Sequence, residues 1–448
     1  LLLWLAALAT ARVQPMAPAA AQGRSLQFIR DAEIEAIIRY YATPLFQVAG
    51  LDPKAIDVYL INDKAINAFV AGGQNLFLNT GLLMAADDPL EVIGVIAHET
   101  GHIAGGHIAQ RGGAIGDATG LLIASYVLGI LGAIASGRGE VAQAVISGGS
   151  DLALKGLLSF TRSQEQSADQ AALTYLNGSG LSPQGLVSFM EKLRGQEVLL
   201  AVNQDPYLST HPLTTERIEF LEREAAASPN LGKPAPAVIL QMHARMRAKL
   251  IGFLQSRGAV DRAYPPEDQS LPARYAHAIL EYREGQIERA LQLIDSLLVE
   301  WPTDPFFLEM KGQMLFEYGR IAEALPVYEA AVVAMPEAAQ IRMMLARSQI
   351  EMNDRALDAK AIRNLELVLV SEPRNSFAWR LIATAYGRSG NDGMAALALA
   401  EAALWRGEFE DSQRHAERAL ALLPRNSPAW LQADDVAREA ARRIEQQD

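Results

Sequence analysis

The hydrophobic pattern of the chain changes near residue 271, and the two parts predict different architectures. Before this point, apolar residues at helical spacing alternate with short β-branched runs, which is typical of helices mixed with a few strands. The Gly72-Gly73 pair predicts a hairpin between the last two strands. This part is therefore predicted to be mainly α with a small β-sheet. The pattern predicts strands over 56–61, 65–70 and 74–79 and helices over 25–49, 90–110, 163–176, 184–194, 215–227 and 238–254.

The part after residue 271 contains an internal repeat with a period of 34 residues. A small residue recurs in the turns between predicted helices and a proline follows the second helix of a pair, which is the tetratricopeptide pattern. Stacked pairs of this kind form an α-solenoid, whose surface binds proteins or peptides. The third repeat contains an insertion at Leu357–Ala361, and the final region is irregular. The residues offset by one period are Gly285, Gly319 and Asn353 in the turns, and Pro302 and Pro336 after the second helices.

The N-terminal residues have the pattern of an export signal. Leu1–Leu8 is apolar, and the small residues of Ala17–Gln22 resemble a cleavage site, so we expect a signal peptide over 1–21 that is cleaved near Ala21. The alternative is an N-terminal membrane anchor, for which the apolar run is short. The remaining chain is predicted to divide into a catalytic domain (22–257), a loop-like linker (258–270) and a repeat domain (271–448).

Composition and charge exclude several classes of function. The net charge of −12 argues against nucleic acid as the main partner. The chain has no cysteine, so it forms neither disulfides nor thiolate metal sites. Only seven histidines are present, and three of them fall within ten residues. The candidate chemistry is therefore concentrated in one short stretch.

That stretch contains the pattern H-E-x-x-H, formed by His98, Glu99 and His102. Residues four apart lie on one face of a helix, so both imidazoles can bind the same metal ion. Glu99 projects beside that face, where it can take a proton from metal-bound water. Asp87 and Asp88 before Pro89 provide start signals for such a helix.

A catalytic zinc site needs a third protein ligand, with the fourth position left open. His107 lies one residue short of the position that a third histidine takes in H-E-x-x-H-x-x-G-x-x-H, so we expect a structural or outer role for it. Glu165, on a later predicted helix, is the better third ligand, as in gluzincins. Asp169, one turn further on, is placed to hydrogen-bond a ligand histidine and fix its tautomer.

The sequence H-E-T-G-H-I-A-G-G-H at 98–107, with Arg162-x-x-Glu165-x-x-Ala168-Asp169, resembles the peptidase family that contains the heat-shock membrane protease HtpX and the CAAX prenyl protease. The C-terminal repeats resemble the soluble periplasmic branch of that family. Supporting motifs are a loop containing His211 and followed by Arg217, and a strand containing Asn67, Ala68 and Phe69.

This resemblance implies a gluzincin-type metalloprotease domain followed by an α-solenoid, with one Zn²⁺ per chain held by His98, His102 and Glu165. His211 is implied to be a fourth ligand or a gate at the zinc. The strand with Asn67, Ala68 and Phe69 either offers an edge on which a substrate peptide lies or only builds the core.

The implied function is a periplasmic zinc endopeptidase that hydrolyses misassembled outer-membrane proteins, with repeats that dock substrate or the assembly machinery. The alternative is a repeat-based chaperone or scaffold with low or latent proteolysis. In the proposed reaction, zinc polarises the scissile carbonyl while Glu99 moves the proton.

An apolar run follows the candidate metal helix, at Leu121–Ala135. It is shorter than the roughly 20 residues that a membrane-spanning helix needs. Three interpretations remain: a buried helix hairpin, a lid over the site, or a helix in peripheral contact with a membrane. We expect a mobile or interfacial helix, with residues 112–150 as the place of a lid.

Overall fold

A computed structural model describes residues 27–72, 74–107, 160–199 and 211–446. The part before residue 255 combines one small sheet with helices on its aliphatic face, as the hydrophobic pattern predicts. Its elements are β1 (Phe28–Ile29), α1 (Ala32–Val48), β2 (Asp57–Ile61), β3 (Ala68–Ala71), β4 (Asn75–Asn79), α2 (Thr80–Ala85), α3 (Pro89–Ala104), α4 (Arg162–Gly178), α5 (Gln184–Leu199), α6 (Thr215–Ala226) and α7 (Ala237–Leu254).

The sheet has the strand order β1-β2-β4-β3. The predicted hairpin is confirmed, since β3 and β4 pair antiparallel, with Phe69 opposite Phe77. Strand β2 pairs parallel to β4, and β1 pairs antiparallel to β2. Alternate residues point to opposite faces of a strand, so Val58, Leu60 and Leu76 share one face with the core that packs around α1 and α3.

The first predicted helix begins later than its pattern indicated. Residues 28–29 form strand β1 against β2 instead of a helical turn. Asp31 is the N-cap, because its side chain accepts a hydrogen bond from the backbone N–H of Ile34. A capping carboxylate with extended backbone fixes the start of the helix at Ala32, which an apolar period alone does not locate.

The predicted linker 258–270 is not purely a loop, because helix α8 (Arg257–Ala263) occupies its first half. Val260 of this helix is fully buried in the core shared with the first repeat helices, and Pro265 follows its end. Helix α7 contributes Leu250 to the core of the first part and Ile251 to that of the repeats. The domain boundary at residue 257 stays a prediction.

The repeat part is a series of antiparallel helices, as predicted. The turns at Gly285, Gly319 and Asn353 have positive φ angles of 82°, 75° and 55°, which explains the small or Asn residue there. The insertion at Leu357–Ala361 lengthens α14, and the irregular final sequence still forms regular helices. The elements are α9 (Leu271–Arg283), α10 (Ile287–Glu300), α11 (Pro305–Glu317), α12 (Ile321–Ala334), α13 (Ala339–Glu351), α14 (Arg355–Ser371), α15 (Ser376–Arg388), α16 (Asp392–Trp405), α17 (Phe409–Leu422) and α18 (Pro428–Glu445).

A buried charge network joins the two parts. Arg245 of α7 contacts Glu33 of α1 at 2.7 Å and Asp304, the N-cap of α11, at 2.6 Å. Tyr275 of α9 donates a hydrogen bond of 2.8 Å to Glu33. Burial alone would lower the pKa of Lys249, but the surrounding carboxylates raise it well above its usual value. Because buried charges need their partners, this network holds the first repeats against α1.

None of the helices that the structure describes is long and apolar enough to cross a membrane. The predicted signal peptide (1–21), the predicted lid (112–150) and the apolar run Leu121–Ala135 lie outside the described residues.

Candidate metal centre

Helix α3 carries the H-E-x-x-H residues into the centre of the first part. Asp88 caps its N-terminus by accepting a hydrogen bond of 2.8 Å from the backbone N–H of Leu90, and Pro89 occupies the first turn. Both features are those that the sequence indicated. The helix is buried on every side from Pro89 to Ile103. His98, Glu99 and His102 therefore lie away from solvent, where polar groups must find partners.

Helix α4 brings Glu165 and Asp169 against α3. Thr161 and Gln164 form a capping box that begins this helix. The two helices approach closely at Gly101, where an added Cβ atom would lie 2.9 Å from the Cα atom of Ala168. Any larger residue at position 101 would push α4, and with it Glu165, away from the histidines.

The structure brings together the three predicted metal ligands, His98, His102 and Glu165, with His211, which the resemblance implied to be a fourth ligand or a gate. All four are fully buried. His98 Nε2 lies 3.1 Å from His102 Nε2 and 3.4 Å from His211 Nδ1. Glu165 Oε1 lies 3.0 Å from His211 Nδ1 and 3.4 Å from His102 Nε2. Four donor atoms thus converge from α3, α4 and the loop before α6.

Asp169 and Arg217 contact the donor residues and orient them. Asp169 Oδ1 lies 2.9 Å from His98 Nδ1, so it favours the tautomer of His98 whose Nε2 is free to bind a metal. Arg217 donates two hydrogen bonds to Asp169, of 2.7 and 2.9 Å, and its Nη1 lies 2.6 Å from Glu165 Oε2. The side chain of Arg217 is only 2% exposed.

The charges in the site favour a cation among the donors. Burial alone would raise the pKa of Glu165, but the neighbouring histidines outweigh this effect and hold it far below its usual range. Burial alone would lower the pKa of His98, but Asp169 and Glu165 outweigh it and raise that pKa to about 10. The carboxylates thus stabilise a positive charge at this position.

Glu99 lies beside the four donors and does not belong to them. Its Oε1 is 3.4 Å from His211 Nε2, and neither of its carboxylate oxygens has a hydrogen-bond partner among the described residues. Burial raises the pKa of this carboxyl group, although His211 and His98 oppose the shift. A buried carboxylate without a hydrogen bond, next to a metal site, is placed to exchange protons with water or substrate.

Two further residues fix His102 from its other side. His107 Nδ1 lies 3.1 Å from His102 Nδ1, so His107 takes the outer role predicted for it and does not join the four donors. The ring of Phe160 stacks on His102, with centroids 3.7 Å apart. No motif indicated Phe160, because its contact with His102 joins residues that lie far apart in the sequence. The sequence indicated Arg217 only as part of the supporting motif around His211 and predicted no contact partner for it.

The predicted substrate strand lies at an edge of the sheet. Within the described residues, β3 pairs with β4 alone. Asn67, Ala68 and Phe69 are nevertheless buried, and the side-chain oxygen of Asn67 has no hydrogen-bond partner in the described part of the chain. Their role in binding substrate stays a prediction.

Known proteins share this region and much of the remaining chain. The model of peptidase family M48 matches residues 29–225, which contain all the donors named above. A β-barrel assembly-enhancing protease of Yersinia pestis is 27% identical over 74% of this chain and 68% of its own length. The Escherichia coli K12 protein of the same name is 27% identical over 60% of this chain and 55% of its own length.

Solved structures also match, at low overall similarity. A thermophilic TPR protein of Thermus thermophilus covers 38% of this chain and 95% of its own, at 18% identity and a TM-score of 0.26. A score this low carries no weight for function. The H-E-x-x-H helix, the converging donors and the family match agree with one another. The chain is therefore a metalloendopeptidase whose residues 29–225 match peptidase family M48, and it is similar over most of its length to β-barrel assembly-enhancing proteases.

Proposed function

We propose that the protein is a periplasmic zinc endopeptidase that hydrolyses misfolded or misassembled outer-membrane proteins. The observation that carries the zinc assignment is the spacing of the donors. Zinc with bonds of about 2.0–2.1 Å in a tetrahedral site sets its ligand atoms roughly 3.3–3.4 Å apart. Four of the six donor separations are 3.0–3.4 Å. Three imidazoles with one carboxylate also suit zinc better than magnesium or calcium, which prefer oxygen ligands.

His98, His102 and Glu165 are the proposed protein ligands, and His211 is the proposed fourth donor or gate. Zinc bound there supplies a Lewis acid for the scissile carbonyl and lowers the pKa of a water molecule. Glu99 takes the proton from the attacking water and returns it to the leaving amine. Asp169 orients His98, while Arg217 holds the carboxylates of Asp169 and Glu165.

The nature of the substrate rests on similarity and on the repeats. Relatives named β-barrel assembly-enhancing proteases match this chain, and a helical repeat stack suits the docking of a protein substrate or of assembly machinery. The export pattern at residues 1–21 supports a periplasmic location. We propose Asn67, Ala68 and Phe69 as the edge on which an extended substrate segment pairs.

Removal of the metal tests this proposal. We expect a chelator such as EDTA to abolish casein cleavage by the purified protein. One equivalent of Zn²⁺ should restore cleavage, because the metal then binds again to the donor residues. Magnesium should not restore cleavage, since it binds such a donor set poorly. Undiminished cleavage in a sample shown to contain no metal would refute the assignment.

A further inference from the structure

The third and fourth repeat pairs carry three arginines that lie over aromatic rings. The Cζ atom of Arg347, on α13, lies 4.6 Å from the ring centroid of Phe316 and 5.8 Å from that of Phe377. Arg380, on α15, lies 5.5 Å from the same Phe377 ring. Arg374, just before α15, lies 5.3 Å from Trp405. We call Arg347, Arg374 and Arg380 with these rings the arginine patch.

Within the described residues, none of these three guanidinium groups forms an ion pair with a carboxylate. Their neighbours differ in this respect, because Arg388 contacts Asp358 and Arg406 contacts Glu408. Other arginines such as Arg355 also lack an acidic partner in the described structure, but these three combine that property with a position over an aromatic ring. The aromatic rings hold these side chains in place while leaving their charge uncompensated.

This arrangement suits carboxylates. A guanidinium group whose face covers a ring keeps its N–H groups, which lie in its plane, free to bind a carboxylate with two parallel hydrogen bonds. Arg374 and Arg380 are exposed, and Arg347 is half-buried. Because Arg347 and Arg380 lie over the same ring, that of Phe377, one extended segment with several acidic side chains can contact both.

The arginine patch also adjoins the sheet of the peptidase part. Arg30, next to β1, contacts Glu372 at 2.7 Å, two residues before Arg374. A polypeptide held on the patch thus lies close to the β1 edge of the sheet, which is the edge opposite β3.

We infer that the arginine patch binds an acidic stretch of a protein substrate and so holds that substrate beside the peptidase part. The inference deepens the function proposed above, but it concerns binding by the repeats and not hydrolysis. Binding measured in a catalytically inactive protein therefore tests it separately from the peptidase activity.

The test is fluorescence anisotropy with full-length Glu99→Gln protein and a labelled 12-residue peptide in which Asp alternates with Ser. We expect the double variant Arg347→Gln/Arg380→Gln to raise Kd about tenfold or more, and higher salt to weaken the parent's binding. The matched control is Arg355→Gln/Arg363→Gln, which removes two exposed arginines on α14 that contact no ring or carboxylate in the described structure. The control should change Kd less than about twofold.

Three results would overturn the inference. The first is an equal loss of binding in the patch and control variants, which would show a general effect of net charge. The second is equal affinity for a peptide with Asn in place of Asp. The third is patch-dependent binding to vesicles containing phosphatidylglycerol without binding to the acidic peptide, which would assign the patch to a lipid surface.

Discussion

Replacing Glu99 by Gln is expected to lower kcat for casein cleavage about a hundredfold or more while the zinc content stays unchanged. General acid–base catalysis contributes about 10²–10⁴-fold, and Gln has nearly the same shape as Glu but cannot accept the proton. Glu99 is not among the four converging donors, so its loss leaves the metal in place. The measurement combines steady-state kinetics with metal analysis of the same sample.

The control for this variant is Glu91→Gln, a second buried glutamate on α3. Glu91 pairs with Lys192 at 2.7 Å and lies at the opposite end of the helix from His102. Its replacement should leave kcat within about twofold, although it costs some stability. Unchanged cleavage in Glu99→Gln would exclude Glu99 as the base. It would also favour the alternative in which the repeats act as a scaffold and the metal has another role.

Replacing Arg217 by Met is expected to destabilise the protein by about 3–5 kcal/mol, the range seen when one partner of a buried ion pair is removed. Arg217 is the shared partner of Asp169 and Glu165, at 2.7 and 2.6 Å. Both carboxylates are fully buried, and because Glu165 is the proposed zinc ligand, the variant leaves the charge of Asp169 without its counterion. Denaturant unfolding of the zinc-loaded protein measures the change.

Arg223→Met is the matched control for this variant, because Arg223 lies on the same helix α6 with a side chain that is 66% exposed. Its ion pair with Glu224 should contribute at most about 1 kcal/mol. Arg217→Lys should lie between the two, since lysine keeps the charge but loses the paired hydrogen bonds to Asp169. Equal unfolding midpoints for Arg217→Met and Arg223→Met would contradict the supporting role of Arg217.

The sequence predicted much of this site, because its main features are local. The spacing of His98 and His102 on one helix requires only that the helix forms, and Asp88 and Pro89 indicate its start. Glu165 and Asp169 could be assigned as a pair because they lie four apart on a second predicted helix. The same holds for the repeats, whose turn residues recur with a fixed period.

Other features could not be predicted, because they depend on how distant segments meet. Three contacts join residues that lie far apart in the sequence. They are the close packing of α4 on α3 at Gly101, the pairing of Arg217 with two carboxylates, and the stacking of Phe160 on His102. The local apolar period at residues 28–29 predicts a helix, but in the structure these residues pair with β2, and this pairing overrides the local preference. Helix α8 was missed because seven residues show too little periodicity to separate a helix from a loop.

The most direct test is the zinc content of Glu165→Ala beside the parent protein, both purified without added metal and shown to be folded by circular dichroism. Glu165 is the one proposed ligand that comes from a separate helix. The distances from its carboxylate oxygen to the histidine nitrogens are among those that fit a zinc ion. We predict about one zinc per chain in the parent and in Glu99→Gln, and less than about a tenth of that in Glu165→Ala, together with loss of casein cleavage. Full zinc occupancy in Glu165→Ala would contradict the proposed site.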